Sequence, residues 1–219
     1  MLQRMDSETA ERCVREADAS PFSRPGVEYP GWYLHRWHFL PEGYLSRRSA
    51  AMYEWCIRNV YYVAGEGRAL RALRTALRLQ HPERVLELGC GPGRAVEALA
   101  DALPWSEITG VDLSPFQVER AAQRCRRFGA RVRVMHGDAL SLPMSDGSYD
   151  AIVAAHVAGH VPEDAAGDAM AESERVLGPK GKLYLFDHLW HPLPETKLTL
   201  RWTQRLSWRA GRIACYEKV

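Results

Sequence analysis

Cysteine is scarce and unpatterned in this 219-residue chain. Cys13, Cys56, Cys90, Cys125 and Cys215 are odd in number and nowhere spaced as CxxC, so neither a disulfide framework nor a zinc site is supported, and a reducing, cytoplasmic setting is expected. Charge of one sign is lacking as well. Lys+Arg 29 against Asp+Glu 27 leaves +2, far from the basic bias of a dedicated nucleic-acid binder. No window approaches the roughly 18 uninterrupted apolar residues of a membrane span. The opening MLQRMDSETAERCVREAD is charged throughout and reads as no secretory signal. No internal repeat and no low-complexity linker stands out. With 46% apolar and 26% charged residues, 17 Gly and 13 Pro, the composition excludes a disordered, collagen-like or coiled-coil chain. It predicts one compact domain, or one domain with a small lid.

What is present is unevenly placed. Phe22, Tyr29, Trp32, Tyr33, Trp37, Phe39, Tyr44, Tyr53, Trp55, Tyr61 and Tyr62 crowd residues 22–62, and Trp190, Trp202 and Trp208 lie near the other end. Between 81 and 188 the only tryptophan is Trp105. A plain centre with aromatic ends suggests a generic scaffold whose flanks supply specificity. Rings that merely pack the end helices onto the core are an equal reading.

The centre alternates strand and helix signals. RVLEL (84–88) is an apolar run stopped by Gly89, and Val96, Leu99, Ala100 and Leu103 carry helical spacing after Gly93. EITGVDL reads as a second strand. Ser114-Pro115-Phe116-Gln117 reads as a helix start, with Ser at the cap, Pro in the first turn and Gln three residues after the cap. RVRVMHGD alternates with period two, SYDAIVAA is a buried strand, 164–177 a helix, and GPKGKLYLFDH a strand after a Gly-Pro turn. Upstream, 46–62 and 66–79 look helical, with Leu70, Leu73 and Leu77 facing a core. Such alternation predicts an α/β fold with a doubly wound, mostly parallel sheet.

The chemistry concentrates at Glu87-Leu88-Gly89-Cys90-Gly91-Pro92-Gly93. A strand running into a glycine turn and then a helix lets backbone approach a ligand at the carboxyl edge of the sheet. Asp112, nineteen residues after Gly93, ends the next strand, where an acid accepts the hydroxyls of a ribose. The loop lacks the third-glycine spacing of dinucleotide sites, and Pro92 removes an N–H that a pyrophosphate would use. A carboxylate at Glu87 aimed into the pocket would repel a pyrophosphate and suit a cationic, zwitterionic ligand.

Over residues 81–188 the sequence resembles the class I S-adenosylmethionine-dependent methyltransferases of the small-molecule, quinone and phospholipid group. ELGCGPG resembles the family's first motif, VDLS its second-strand acid, HGDALSLPMSDGSYDAIVAA its third and fourth segments, and ERVLGPKGKLYLFDH its helix-turn-strand. The resemblance implies a Rossmann-like fold and S-adenosylmethionine as cofactor, with S-adenosylhomocysteine as product. It also implies that Gly89 and Gly91, within the loop 87–93 that carries Glu87, Cys90 and Gly93, line the methionine portion. Asp112 would hold the ribose, Leu113 would pack on adenine, and Asp138 with the Ala139 backbone would read the adenine edge. For Asp138 a turn-forming role is the competing reading; Cys90 reads as a small filler.

Acceptor-side candidates are His156, beyond the fourth strand, and His160 one turn later, as proton acceptors or orienting groups. For His160 packing is the simpler reading. No carboxylate or third ligand stands at a convincing spacing from the pair, so no metal is expected. His35, His38, His188 and His191 lie in the aromatic flanks and read singly as surface or packing residues.

The expected layout is an aromatic helical lid over 1–80 and an S-adenosylmethionine-binding domain over 81–219 with a helical tail. Only 32 residues follow Asp187. Pro194–Arg209 fits one helix and RIACYEKV one short strand, so the antiparallel hairpin that ends the family's sheet is expected to be short or absent. On that helix Lys197, Arg201, Arg205 and Arg209 would share a face. A solvated face is the simpler reading of it, an anionic membrane surface the other. The expected reaction is methyl transfer to N or O of a small-molecule or lipid-like acceptor, with no nucleic-acid partner and room for a homodimer. Protein or nucleic-acid methylation, and non-catalytic cofactor binding, are the alternatives. Ala-Ala-His-Val after the fourth strand, where base methylation would call for an Asn-Pro-Pro-Tyr-type motif, speaks against the nucleic-acid reading.

Overall fold

A computed structural model describes residues 3–37, 39–59, 67–157, 159–187, 193–207 and 211–219. His38, His188, His191, Tyr61, Tyr62, Trp190, Trp208 and Arg209 lie outside them. The strands of the central sheet are β3 (Arg84–Leu88), β4 (Glu107–Asp112), β5 (Val132–His136), β6 (Tyr149–Ala155), β7 (Leu177–Asp187), β8 (Thr199–Ser207) and β9 (Gly211–Glu217). They stand in the order β5-β4-β3-β6-β7-β9-β8. The first five are parallel, and β9 runs antiparallel to both of its neighbours. The order reverses between β3 and β6, which opens a crevice at their carboxyl ends.

Two-residue alternation assigns the two faces. Val85, Val153, Tyr184 and Ile213 join Leu73 and Leu77 of α3 (Gly67–Gln80), Val96 and Leu99 of α4 (Arg94–Ala102), and Ala121 and Cys125 of α5 (Pro115–Cys125). Leu86, Leu88, Ile152, Ala154, Leu183 and Leu185 join Leu142 and, from α6 (Glu163–Val176), Met170 and Val176. Burial on both faces is why these strands read as continuous apolar runs.

The amino-terminal part has its own small core. Helix α1 (Ser7–Asp18) is capped by Asp6, which accepts from the Thr9 N–H at 2.8 Å. Cys13 and Ala17 of α1, Met5, Tyr33, Leu45 and Ala50 of α2 (Arg47–Cys56) pack on Leu113 and Phe116. A two-residue ribbon, β1 (Gln3–Arg4) with β2 (His35–Arg36), closes the segment. The helix expected over 46–62 is α helical over 47–56, and 60–66 fall outside the described residues.

The tail departs from expectation. Where one helix was expected over 194–209, β8 and β9 form a hairpin, and β9 lies between β7 and β8. The antiparallel hairpin is therefore present and the sheet has seven strands. A spacing of four residues misled the reading, because it fits a strand's period of two as well as a helix's 3.6. Lys197 precedes β8, Arg201 and Arg205 lie on it, and Arg201 pairs with Glu217 across the hairpin at 3.1 Å. Among the described residues no helix is long and apolar enough to cross a membrane.

Because β9 is a core strand, Ile213→Ala is expected to destabilise the protein by about 2–5 kcal/mol. Arg205→Ala on the exposed edge is expected to stay within ~0.5 kcal/mol. Chemical denaturation of the two variants checks this; equal, small effects would return the segment to the periphery.

Candidate functional site

One cavity occupies the crevice, and residues from four strand ends line it. Gly89 and Gly91 come from the loop after β3, Asp112 from the end of β4 with Leu113 just beyond it, Asp138, Ala139 and Leu140 from beyond β5, and His156, Val157 and His160 from beyond β6. Trp32, Tyr33, Trp37, Tyr44 and Tyr53 of the amino-terminal part form the opposite wall. Eight of the eleven residues proposed from the sequence thus meet: Gly89, Gly91, Asp112, Leu113, Asp138, Ala139, His156 and His160. Glu87, Cys90 and Gly93 are not among the lining residues.

The glycine loop explains that division. Glu87 shares the Val85 side of β3, where it is 2% exposed, and burial pushes the nearby Cys90 and Cys125 thiols up. Cys90 packs on β4, since a Cβ added at Gly110 would lie 3.0 Å from its Sγ. Gly93 has φ +78°, and an added Cβ would lie 2.9 Å from the Ala121 Cα, so it permits close approach of α4 and α5. At Gly89 (φ +61°) an added Cβ would meet Val157 Cγ2 at 2.6 Å, whereas at Gly91 (φ +51°) the nearest atom is Tyr53 Cε1 at 3.7 Å. Gly89 lets the β6 loop cross, and Gly91 leaves open space in the cavity.

Asp112 organises the loop. Its two carboxylate oxygens accept the Gly91 N–H and the Ser114 N–H, both at 2.8 Å. Burial pushes its carboxyl up to about 6 against the pull of those two bonds. Asp138 accepts the Leu140 N–H at 2.9 Å and so forms the turn weighed from the sequence, while also facing the cavity. Burial raises its carboxyl as well. The segment that follows is held to α6, since Glu172 accepts the Leu142 N–H and Arg175 donates to the carbonyls of Leu142 and Met144.

The two histidines have different surroundings. His160 Nδ1 lies 2.6 Å from the His156 carbonyl and therefore carries the proton, which leaves Nε2 to accept from the Tyr44 hydroxyl at 3.1 Å. Its ring also lies 5.0 Å from that of Trp37. His160 is a strut between the β6 loop and the aromatic wall. His156 sits at φ +58° with its ring edge-on to Phe186, and its Nδ1 is 3.9 Å from Asp187 Oδ1. The other Asp187 oxygen accepts the Gly159 N–H at 2.8 Å.

Sequence reasoning passed over Asp187 and His136, and it set Gln117 at a helix cap where the structure places it in the cavity lining. Asp187 ends a parallel strand at the edge where such sheets carry their sites, a signal that could have found it. His136 is buried, with Nδ1 accepting the Arg24 N–H at 3.0 Å and Nε2 donating to the Leu113 carbonyl at 3.0 Å. Burial lowers its pKa, as those roles for the neutral ring require. It ties the 24–29 stretch to the cavity floor; no local pattern announces this. His35 instead faces the Trp32 carbonyl within the amino-terminal part. Among the described residues no cluster of three or more His, Cys, Asp or Glu could hold a metal.

Residues 85–181 match a family model described as a methyltransferase domain. The 27-O-demethylrifamycin SV methyltransferase of Amycolatopsis mediterranei is 32% identical over 157 residues, covering 71% of this chain and 53% of the relative. Demethylmenaquinone methyltransferase of Thermus thermophilus is 32% identical over 117 residues, covering 53% and 52%. The chain thus spans about half the length of these curated relatives. Among solved structures, a TehB-like SAM-dependent methyltransferase from Corynebacterium glutamicum superposes with TM-score 0.61 at 22% identity, over 80% of this chain and 100% of that one. A 1,6-didemethyltoxoflavin-N1-methyltransferase from Burkholderia thailandensis does so with TM-score 0.60 at 22% identity, over 78% and 86%. At that identity the likeness is one of fold.

The loop geometry makes a test of its own. Gly91→Ala is expected to cost about 1 kcal/mol for the left-handed backbone alone, and Gly89→Ala about 2–4 kcal/mol because Val157 must also move. Adding Val157→Ala is expected to relieve part of the Gly89→Ala cost and none of the Gly91→Ala cost, read as coupling in denaturation midpoints.

Proposed function

Through residues 85–181 this chain belongs to the class I S-adenosylmethionine-dependent methyltransferases, and from that premise we propose that it methylates N or O of a small-molecule or lipid-like acceptor. The observation that carries the proposal is the shared cavity. It brings the glycine loop, Asp112 and Asp138 together with Trp37, Tyr44 and His156 around one space. The curated relatives named for a rifamycin and for a menaquinone precursor support an acceptor of that kind.

The residues present fit the cofactor. Gly91 leaves room where a side chain would stand, and Asp112 offers a carboxylate at the strand end. S-adenosylmethionine supplies an electrophilic methyl carbon on a sulfonium and becomes S-adenosylhomocysteine. In this reading Asp112 holds the ribose, Leu113 packs on adenine, and Asp138 with the Ala139 backbone meets the adenine edge. The open face of Gly91, with Gly89, admits the methionine portion.

On the acceptor side His156 takes the proton of an acceptor that must lose one, with Asp187 Oδ1 3.9 Å from its Nδ1. With both ring nitrogens engaged, His160 acts as a strut that fixes the His156 backbone and the Tyr44 ring. The aromatic residues within 1–80 act as a lid that excludes water, and much of the rate comes from positioning the two reactants.

Two measurements test this. Asp112→Ala is expected to weaken S-adenosylhomocysteine binding by ~10–150-fold in calorimetry. Since its carboxyl is raised to about 6 in the free protein, the ionised form that accepts the ribose hydroxyls prevails above that pH and is lost below it. Wild-type affinity is therefore expected to fall as pH drops through 6, by up to about tenfold per unit, and an Asp112→Asn variant to show a flatter profile. His156→Ala is expected to lower turnover on a hydroxylated acceptor by ~10²-fold or more with cofactor affinity retained. Turnover at the wild-type rate would remove His156 from the chemistry.

A further inference from the structure

Ser114-Pro115-Phe116-Gln117 has the spacing of a capping box, in which the residue at position 117 reaches back to the backbone N–H of Ser114. The fold gives that N–H to another acceptor. Asp112 takes the Ser114 N–H at 2.8 Å, and the Ser114 hydroxyl donates to the Tyr44 carbonyl at 2.7 Å, so α5 begins with no side-chain cap. Gln117 is displaced from the role its position would have given it. Its side chain is 1% exposed and lines the cavity, and neither its amide oxygen nor its amide nitrogen has a hydrogen-bond partner among the described residues. An unmatched buried amide destabilises a protein unless a ligand completes it.

Resting on the reading that the cavity binds S-adenosylmethionine, we propose that Gln117 is a second ribose anchor, completing the hydrogen bonds that Asp112 alone cannot supply. A carboxylate only accepts, and each Asp112 oxygen already takes one backbone N–H. A ribose diol has two O–H donors and four lone pairs. The Gln117 amide adds the missing donor, Nε2, and a further acceptor, Oε1. Asp112 ends β4, Gln117 stands in the first turn of the helix that follows, and Leu113 lines the cavity between them in sequence.

The test compares wild type with Gln117→Met, which keeps the side-chain length and removes the amide. Calorimetry uses S-adenosylhomocysteine and its 2′-deoxy and 3′-deoxy analogues, and ligand-free melting is followed in parallel. Gln117→Met is expected to weaken S-adenosylhomocysteine binding by about 5- to 100-fold. For the analogue lacking the hydroxyl that Gln117 contacts, the two proteins should bind within about threefold of each other. Ligand-free Gln117→Met is expected to melt no lower than wild type, since an unmatched buried amide has gone; a purely structural glutamine would give a lower melting point. Unchanged S-adenosylhomocysteine affinity, a lower melting temperature, or an equal loss on all three ligands overturns the assignment. Failure of wild type to bind S-adenosylhomocysteine at all refutes the underlying cofactor reading instead.

Discussion

The carboxylate of Asp112 is the group on which the site depends. It stands at the end of β4, beside the switch point of the sheet, and accepts one N–H from the glycine loop after β3 and one from the start of α5. Two βα connections are thereby tied to a single buried charge. Desolvation raises its pKa to about 6 in spite of both bonds, so the tie is made at an electrostatic cost. The same bond to Ser114 is what takes Gln117 out of a helix cap. A local competition for one N–H therefore decides which polar atoms face the cavity.

Around this centre the amino-terminal part is attached through side chains rather than through the sheet. His136 joins the Arg24 backbone to the Leu113 carbonyl, Ser114 joins the Tyr44 carbonyl, and the Tyr44 hydroxyl reaches His160. These ties converge on the cavity floor and on the β6 loop. Ordering of the aromatic wall is thus coupled to the geometry of both the β4–α5 connection and the β6 loop.

Strain and unmatched polarity collect at the same place. His156 holds a left-handed backbone with its N–H bonded to the Phe186 carbonyl and its own carbonyl bonded to His160. Gln117 is buried without a partner among the described residues, and burial holds the Asp112 carboxyl above its ordinary range. Each departs from what stability alone would select. Such departures persist where the surrounding fold over-determines them, and all three lie along one cavity.

Local pattern alone determined the central α/β alternation, the glycine loop and the acid at 112, and offered the turn at 138 as a competing reading, because each rests on nearest-neighbour spacing and on backbone freedom at glycine. It also placed His156 and His160 beyond the fourth strand. Only the tertiary structure decided the rest. The basic spacing through Arg201 and Arg205 is compatible with helix and strand alike, and pairing of β9 between β7 and β8 selected the strand. Whether Glu87 faces the cavity or the core depended on how α3, α4 and α5 close over its face of β3. That the His160 ring braces the aromatic wall depended on Tyr44, more than a hundred residues away in the chain. Gln117 left its cap because Asp112 reached the same N–H first. These outcomes are competitions between a local preference and a partner distant in sequence, and a partner's position in space is not written in the spacing of its neighbours.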